Sequence, residues 1–300
     1  MKMTFKVENK DDGKRIVDVL KDTYGMSSML TKRIRLYGSL KVNTVDHRMI
    51  DPAYNGDIID VAYDERPEEP FEVPDREGVH IVYSDRNIIV ASKPSGMVTH
   101  PVSYHQSGTL TDIYKDFRIH PVSRLDKDTT GLILLARDPF SHYALASGHN
   151  SGEFYKEYRA ICHGSFDPPL GIIDSPIGRR SDTKMLRRVT ASGAGACTEY
   201  ETIDSYHGGE ISYLKFILHT GKTHQIRVHC LYSGHPIVGD PLYGPNSNEN
   251  AHYCSSMDHD SKINRQALHA YRLSFRHPIT GKAIDITCDL PDDMLLLTNP

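Results

Sequence analysis

Apolar residues recur along the first part of the chain with two spacings, which predict helices and strands. A helical spacing covers residues 15–24 and recurs over 29–37, and a glycine follows each segment as a stop signal. Short apolar runs over 40–42 and 57–61 are typical of strands. Residues 1–63 are therefore predicted to form a small α/β domain.

After residue 77 the pattern is dominated by strands. The runs at 79–83 and 88–92 predict a hairpin. Further strands are predicted at 132–136, 154–161, 198–203, 213–219, 267–275 and 283–287, and helices at 110–115, 140–147 and 223–232. Because the helices do not alternate regularly with the strands, residues 78–300 are predicted to form an α+β domain with a mainly antiparallel sheet.

An acidic, proline-containing stretch separates these two parts. Residues 64–77 read DERPEEPFEVPDRE and hold seven acids, two arginines and three prolines. Proline favours extended backbone, and crowded like charges resist packing. We therefore predict a linker over 64–77, with an acidic loop inside a single domain as the alternative.

Composition restricts the class of protein. The 300 residues suffice for two domains, and the net charge of −4 means that a nucleic acid would be held by local basic patches. The five cysteines form no CxxC pair, which argues against a disulfide framework or a structural zinc site. The chain shows neither a signal peptide nor a run able to span a bilayer, so we expect a cytoplasmic protein without a membrane partner.

One carboxylate stands out because a loop holds it just before a buried strand. Asp126 lies between Arg124 and Lys127, and a polar, turn-forming run leads from it into the strand predicted at 132–136. A group in such a place is held rigidly and stays reachable, which suits a catalytic residue. An aspartate on a loop is otherwise usually a cap or a turn former.

Two further segments supply side chains that could join this aspartate. Arg227 lies in HTGKTHQIRVH, one turn into a helix that Thr223 could cap. The helix start and the guanidinium both favour a nearby carboxylate, although a structural ion pair is the simpler interpretation of these residues alone. Tyr158 lies in a third segment, so a carboxylate, an arginine and a tyrosine could assemble from separate strands or loops.

Two clusters of positive charge interrupt the acidic background. One lies on the predicted helix 29–37 and comprises Lys32, Arg33 and Arg35. The other comprises Arg179, Arg180, Lys184, Arg187 and Arg188. A solvated surface would explain either cluster, and both would also suit RNA phosphates.

The first cluster belongs to a longer pattern. A basic helix, a glycine, LKVN and then GDIIDV follow one another over about 15–61, and this order resembles the alpha-L RNA-binding motif. The resemblance implies that Lys32, Arg33 and Arg35 contact RNA phosphates and that this contribution is sensitive to salt.

Motifs in the second part resemble, in their order, the RluA-type family of RNA pseudouridine synthases. They are SKPSGMVTHP (92–101), SRLDKDTTG (123–131), YKEYRA (155–160), TGKTHQIRVH (220–229), HPIVGDPLYG (235–244) and LHAYRLSFRHPITG (268–281). The resemblance implies isomerisation of uridine to pseudouridine in structured RNA, without a cofactor or a metal. Large-subunit ribosomal RNA is the leading substrate that it implies, and tRNA is the alternative.

The resemblance also implies roles for single residues. Asp126 matches the catalytic aspartate, and Arg227 matches the arginine that pairs with it. Tyr158 matches the tyrosine that lies against the target base. Arg124 matches the residue that enters the space left by the flipped nucleotide, and Leu268 matches an apolar residue that packs against the base.

The chain departs from the family pattern next to these residues. Ser123 stands where the family commonly has histidine, which puts in doubt any flipping or stacking role of that histidine here. Thr130 stands where serine is common, and Lys222 replaces the usual arginine, keeping its charge but losing its planar fork.

Two other functions remain open at this point. One is an RNA-binding or ribosome assembly factor with the same fold and no activity. The other is a hydrolase of another glycosidic bond, which usually needs paired carboxylates, and no second acid stands out near Asp126 beyond Asp128. The chain contains no GxSxG, HExxH, GxGxxG or Walker-type motif that would indicate another enzyme class.

Overall fold

A computed structural model describes most of the chain. The described residues are 2–26, 28–63, 71–102, 105–150, 154–181, 183, 185–245 and 259–298. The chain divides into two compact units, Met1–Glu69 and Pro70–Pro300. Among the described residues, no helix is long and apolar enough to cross a membrane.

The first unit packs short helices on a four-stranded antiparallel sheet of order β1-β4-β2-β3. Its elements are β1 (Lys2–Lys6), a 3-10 turn (Asn9–Asp11), α1 (Ile16–Asp18), a π-helical turn (Val19–Thr23), α2 (Ser28–Tyr37), β2 (Gly38–Val42), β3 (Val45–Asp46) and β4 (Ile58–Tyr63). The apolar residues that predicted the helices face the core, where Ile16, Leu20 and Ile34 are almost fully buried. The strands β1 and β3 were not predicted.

The second unit is built on a ten-stranded sheet. The strands of the whole unit are β5 (His80–Ser84), β6 (Ile88–Lys93), β7 (His120–Pro121), β8 (Thr130–Ala136), β9 (Tyr155–His163), β10 (Leu170–Asp174), β11 (Ile177–Arg179), β12 (Arg187–Val189), β13 (Cys197–Tyr206), β14 (Ile211–Leu218), β15 (Leu268–Arg276) and β16 (Ala283–Thr287), and all but β11 and β12 belong to this sheet. Its helices are α3 (Leu110–Ile113), α4 (Pro139–Asn150), α5 (Gln225–Tyr232) and α6 (Asp292–Leu295), with 3-10 turns at Lys115–Phe117, His207–Gly209 and Asp260–Lys262.

The main path of the sheet runs β10-β13-β14-β9-β15-β8-β6-β5, with β16 on β15 and β7 on β8, while β11 and β12 form a separate hairpin. Among the strand pairs described, β8 with β15 is parallel and the others are antiparallel. This confirms the predicted α+β class with a mainly antiparallel sheet. Every strand predicted for this unit is present, whereas β7, β10, β11 and β12 were not predicted.

The parallel pairing of β8 with β15 brings two backbones unusually close. Gly131 has φ +103°, and a Cβ added there would lie 2.3 Å from the carbonyl oxygen of Ala270. A side chain would therefore push the two strands apart. Because Asp126 lies on the loop that enters β8, this glycine fixes the position of the loop relative to the centre of the sheet.

The predicted linker is too long at its C-terminal end. Residues 64–70 lie outside the described residues, but 71–77 pack on the second unit. Val73 is buried in the core, the hydroxyl of Tyr114 donates to the carbonyl oxygen of Pro74 (3.0 Å), and the guanidinium of Arg137 lies 3.7 Å from the ring centroid of Phe71. Burial of the two apolar side chains outweighs the extended tendency of the neighbouring prolines and acids.

Candidate active site

A cavity of about 720 Å³ opens in the second unit. The loop before β8, the strand β9, the start of α5 and the start of β15 all contribute to its wall. Five residues selected from the sequence line it: Arg124, Asp126, Tyr158, Arg227 and Leu268. Its volume falls within the range of about 300–1,000 Å³ that is usual for small-molecule sites.

Hydrogen bonds to its backbone hold the loop that carries Asp126 in place. The hydroxyl of Thr99 donates to the carbonyl oxygen of Leu125 (3.2 Å). The amine of Lys93 donates to the carbonyl oxygen of Lys127 (2.8 Å), and the amide of Thr129 closes a turn on the carbonyl oxygen of Asp126 (3.2 Å). The carboxylate therefore projects from a rigid turn, and its side chain remains 24% exposed.

Lys93 is almost completely buried beneath this loop. Burial lowers its pKa to about 7, although the nearby charges of Asp128 and Asp126 act in the opposite direction. Its amine also donates to the carbonyl oxygen of Pro94 (2.7 Å). Lys93 is thus a buried amine under the loop that carries Asp126, and its place in the sequence alone indicated no role for it.

Arg227 joins two acids that are distant in the sequence. Its Nη1 donates to Oδ2 of Asp126 (3.0 Å), while Nε and Nη2 hold Asp240 in a bidentate pair (2.7 and 2.8 Å). Asp240 also accepts hydrogen bonds from the amides of Leu242 and Tyr243. The guanidinium is therefore fixed on one side and offers its remaining edge to Asp126.

The contacts with Asp240 and Asp126 keep the guanidinium of Arg227 charged although it is buried. Burial acts to lower the pKa of Arg227, but the hydrogen bonds and charges of Asp240 and Asp126 raise it above its ordinary value. Asp240 is a second acid near Asp126, and the sequence alone did not identify it. Because its carboxylate contacts Arg227 and the backbone amides of Leu242 and Tyr243, it serves to hold the arginine.

The start of α5 differs from the prediction. Thr223 does not cap the helix, which begins at Gln225 after His224 in the left-handed region (φ +57°). A non-glycine residue rarely adopts this conformation. The turn places the ring of His224 beside the cavity, with Nδ1 2.8 Å from the hydroxyl of Tyr243 and Nε2 3.9 Å from Oδ1 of Asp126.

Tyr158 and Leu268 come from neighbouring strands at the centre of the sheet. Within β9, Tyr158 is paired with Ala270 of β15 on one side and with Phe216 of β14 on the other. Its ring packs against two core clusters, and Leu268 is buried in one of them. Burial, together with the negative charge of Asp126, raises the pKa of Tyr158, so the phenol is neutral at pH 7.

Basic side chains surround the opening. Arg124 is exposed at the edge of the cavity, and Lys156, Arg187 and Lys222 also line it. Burial lowers the pKa of Lys156 to about 8. The predicted basic cluster lies on and between β11 and β12, where Arg179 is paired with Arg187, whereas Lys184 lies outside the described residues.

The remaining predicted contacts lie elsewhere. Lys32, Arg33 and Arg35 are on α2 and therefore belong to the first unit. Within the described part of the chain, no group of three or more His, Cys, Asp or Glu side chains could hold a metal ion.

Comparison with known proteins gives one consistent result. The chain matches the family model of RNA pseudouridylate synthase over residues 87–232. It is 35% identical to a ribosomal large subunit pseudouridine synthase D of Zymomonas mobilis, over 86% of this chain and 78% of the relative. The protein with the same name in Vibrio cholerae is 32% identical, over 99% and 94% of the two chains.

Two further matches agree. An uncharacterized RNA pseudouridine synthase of Bacillus subtilis, YhcT, is 32% identical over 96% of this chain and 93% of its own. The solved structure of human RNA Pseudouridylate Synthase Domain Containing 4 has the same fold, with a TM-score of 0.60 and 24% identity over 73% of this chain and 91% of that one. The chain therefore belongs to the RNA pseudouridine synthases, in the RluA-type family that its ordered motifs resemble.

Proposed function

We propose that Asp126 is the carboxylate with which this enzyme isomerises uridine to pseudouridine in large-subunit ribosomal RNA. The observation that carries the assignment of the residue is the 3.0 Å contact between Arg227 and Asp126 in a cavity that Tyr158 also lines. The names of the relatives support the choice of RNA. Such a substrate would place the enzyme in the cytoplasm.

The reaction breaks the N1–C1′ bond of uridine, turns the base and joins C5 to C1′. The product is an isomer, because the proton that leaves C5 is balanced by one that N1 acquires. Asp126 acts at the sugar, either as a nucleophile or as the base that removes a proton, and both routes need an ionised carboxylate. Arg227 places a positive charge beside the carboxylate and donates the hydrogen bond that orients it.

A uridine in folded RNA must leave its stack before it can reach this cavity. Arg124 is exposed at the edge and can enter the gap that the base leaves, while its charge attracts phosphate. Tyr158 offers an aromatic face, and stacking of a base on such a face contributes about 1–3 kcal/mol. Leu268 completes the wall as a buried apolar contact.

The remaining RNA contacts are assigned to two basic surfaces. One is α2 of the first unit, with Lys32, Arg33 and Arg35, which supports the similarity to an alpha-L motif. The other is the β11–β12 hairpin, whose Arg187 reaches the cavity. Phosphate contacts from such surfaces position an RNA without reading its sequence.

The two competing functions are less well supported. A glycosidic hydrolase would need a second acid free to act, but Asp240 is held by Arg227 and two backbone amides. An inactive assembly factor would be expected to have lost part of the site, and the aspartate, arginine and tyrosine are all present.

Incubation of large-subunit ribosomal RNA with the purified protein, followed by chemical mapping of pseudouridine, tests the proposed substrate. We expect one or a few uridines to be converted, without release of free uracil. Release of uracil would indicate a hydrolase. Modification of tRNA, with ribosomal RNA left unchanged, would overturn the choice of RNA and leave the assignment of Asp126 standing.

Two substitutions separate the ring of Tyr158 from its hydroxyl. We expect Tyr158→Phe to bind RNA as the wild type does and to lower kcat, because the neutral phenol can exchange a proton with the turning base. We expect Tyr158→Leu also to weaken productive binding by about 5–100-fold, through loss of stacking. Single-turnover rates over a range of enzyme concentrations measure both effects. A Phe variant with wild-type kcat would show that the ring alone is needed.

The role of α2 is tested by its charge. We expect the combined substitution of Lys32, Arg33 and Arg35 by Gln to weaken RNA binding and to reduce the slope of log K against log salt by up to about 2–3. A matched variant removes the same charge from the exposed residues Lys6, Lys10 and Lys41 of the same unit. Equal salt slopes for the two variants would contradict a specific role for α2.

A further inference from the structure

The backbone of His224 is in a strained conformation. It adopts φ +57° immediately before α5, where glycine or asparagine would be less strained. The turn directs its ring into the space between Tyr243 and Asp126, and only 12% of the side chain is exposed. Strain of this kind persists where the surroundings hold a side chain in one orientation.

The contacts of Tyr243 favour one position for the ring proton of His224. The amide of Arg187, on β12, donates to the hydroxyl oxygen of Tyr243 (2.9 Å). The phenol proton is then free to donate to Nδ1 of His224, 2.8 Å away. With Nδ1 as the acceptor, the neutral ring carries its proton on Nε2, which faces Oδ1 of Asp126 at 3.9 Å, a distance longer than a hydrogen bond.

The charges around His224 fit a neutral ring. Burial lowers its pKa, and the positive charges of Arg227 and Arg187 act in the same direction, whereas Asp126 and Asp240 oppose them. Burial also raises the pKa of Tyr243 to about 12, so its hydroxyl keeps the proton that it donates. Each oxygen of Asp126 thus faces a different partner, with Arg227 at Oδ2 and His224 at Oδ1.

We propose that His224 is a positioning residue, which Tyr243 holds with its proton on Nε2 so that it fixes the rotation of the Asp126 carboxylate from the side opposite Arg227. The proposal rests on the proposed role of Asp126. Hydrogen bonds run from the backbone of β12 through Tyr243 to His224, and Nε2 of His224 then faces the carboxylate at 3.9 Å.

Three substitutions at position 224 test this role. We expect His224→Leu to lower kcat by about tenfold, because Oδ1 of Asp126 then loses the N–H group that faces it, with KM for RNA changed by less than about twofold. His224→Asn should behave like Leu, because its amide is too short to reach Asp126. His224→Gln places a donor near the position of Nε2 and should recover kcat to within about threefold of the wild type.

The comparison of Asn with Gln separates positioning from mere support of the fold. Asparagine tolerates the left-handed conformation better than glutamine, so a purely structural role would make Asn the better replacement. Melting temperatures of the three variants show whether each is folded. His80→Gln, at an exposed position on β5, is the control and should leave the rate unchanged.

The proton position can be measured without any assay of activity. Two-bond ¹H–¹⁵N spectra of protein labelled at histidine, with the signal assigned by its loss in His224→Asn, should show a neutral ring protonated on Nε2 at pH 7. Tyr243→Phe should remove that preference. A ring protonated on Nδ1 or charged at pH 7, or equal rates for the Leu and Gln variants, would overturn the proposal. An active Asp126→Asn enzyme would instead overturn the proposed function.

Discussion

Asp126→Asn is expected to abolish pseudouridine formation, lowering the rate by at least about 10³-fold, while RNA binding stays within about twofold of the wild type. The amide has the shape of the carboxylate but neither its charge nor its nucleophilicity. Arg227 remains held by Asp240, so the cavity should keep its form. Chemical mapping of ribosomal RNA and a filter-binding titration measure the two effects.

A matched control for this variant is Asp116→Asn. Asp116 is exposed, pairs with Arg76 and lies away from the cavity, so its loss should not change the rate. If Asp126→Asn modified the RNA fully, Asp126 would not be the catalyst. If it lost binding and activity together, the carboxylate would contribute to folding or docking instead.

Arg227→Met is expected to damage both stability and activity. It leaves the side chain of Asp240, which is fully buried, as an uncompensated charge. Breaking a buried ion pair in this way costs about 3–5 kcal/mol of unfolding free energy. It also removes the partner of Asp126, so we expect the rate to fall by about 10²-fold or more. Denaturant unfolding and single-turnover kinetics measure the two losses.

A second substitution separates these two losses. Asp240→Asn removes the buried charge, and its amide oxygen can still accept the hydrogen bonds of Leu242 and Tyr243. The double variant Arg227→Met, Asp240→Asn should therefore recover most of the stability but none of the activity. Recovery of activity as well would show that Arg227 serves only to neutralise Asp240.

The fold was predictable to the extent that local patterns determine it. The strands that lie in the core carry continuous or alternating apolar runs, and all of these were found within a few residues of their bounds. The strands β11 and β12 escaped prediction because each has only three residues, so period and composition carry little signal there. Acids and prolines surround Phe71 and Val73, so the composition of this segment did not indicate that these two residues reach the core.

The residue types of the candidate site could be predicted from the sequence, but the contacts between its side chains could not. Asp126, Arg227 and Tyr158 could be chosen from ordered motifs, yet the contact between Asp126 and Arg227 joins residues that are 101 apart in sequence. Asp240 and Tyr243 lie in HPIVGDPLYG, a motif that was recognised without a role for either residue. Their function depends on which side chain each faces, and only the tertiary structure supplies that information.

The left-handed turn at His224 is a second feature of the site that the local sequence did not predict. The sequence suggested Thr223 as a helix cap, which is its usual preference. Histidine adopts φ +57° more readily than most residues but still uncommonly, and here the contact of its ring with Tyr243 accompanies the turn. Such a conflict between local preference and structure is expected at a functional site.

The proposed mechanism assigns the chemistry to the Asp126 carboxylate. Release of tritium from large-subunit ribosomal RNA labelled at C5 of uridine, under single-turnover conditions with enzyme in excess, tests it most directly because C5 loses its hydrogen when it bonds to C1′. The wild type should release tritium at each modified site, and Asp126→Asn, although saturated with RNA, should release none. Release by the variant at the wild-type rate would show that a group other than Asp126 carries out the chemistry.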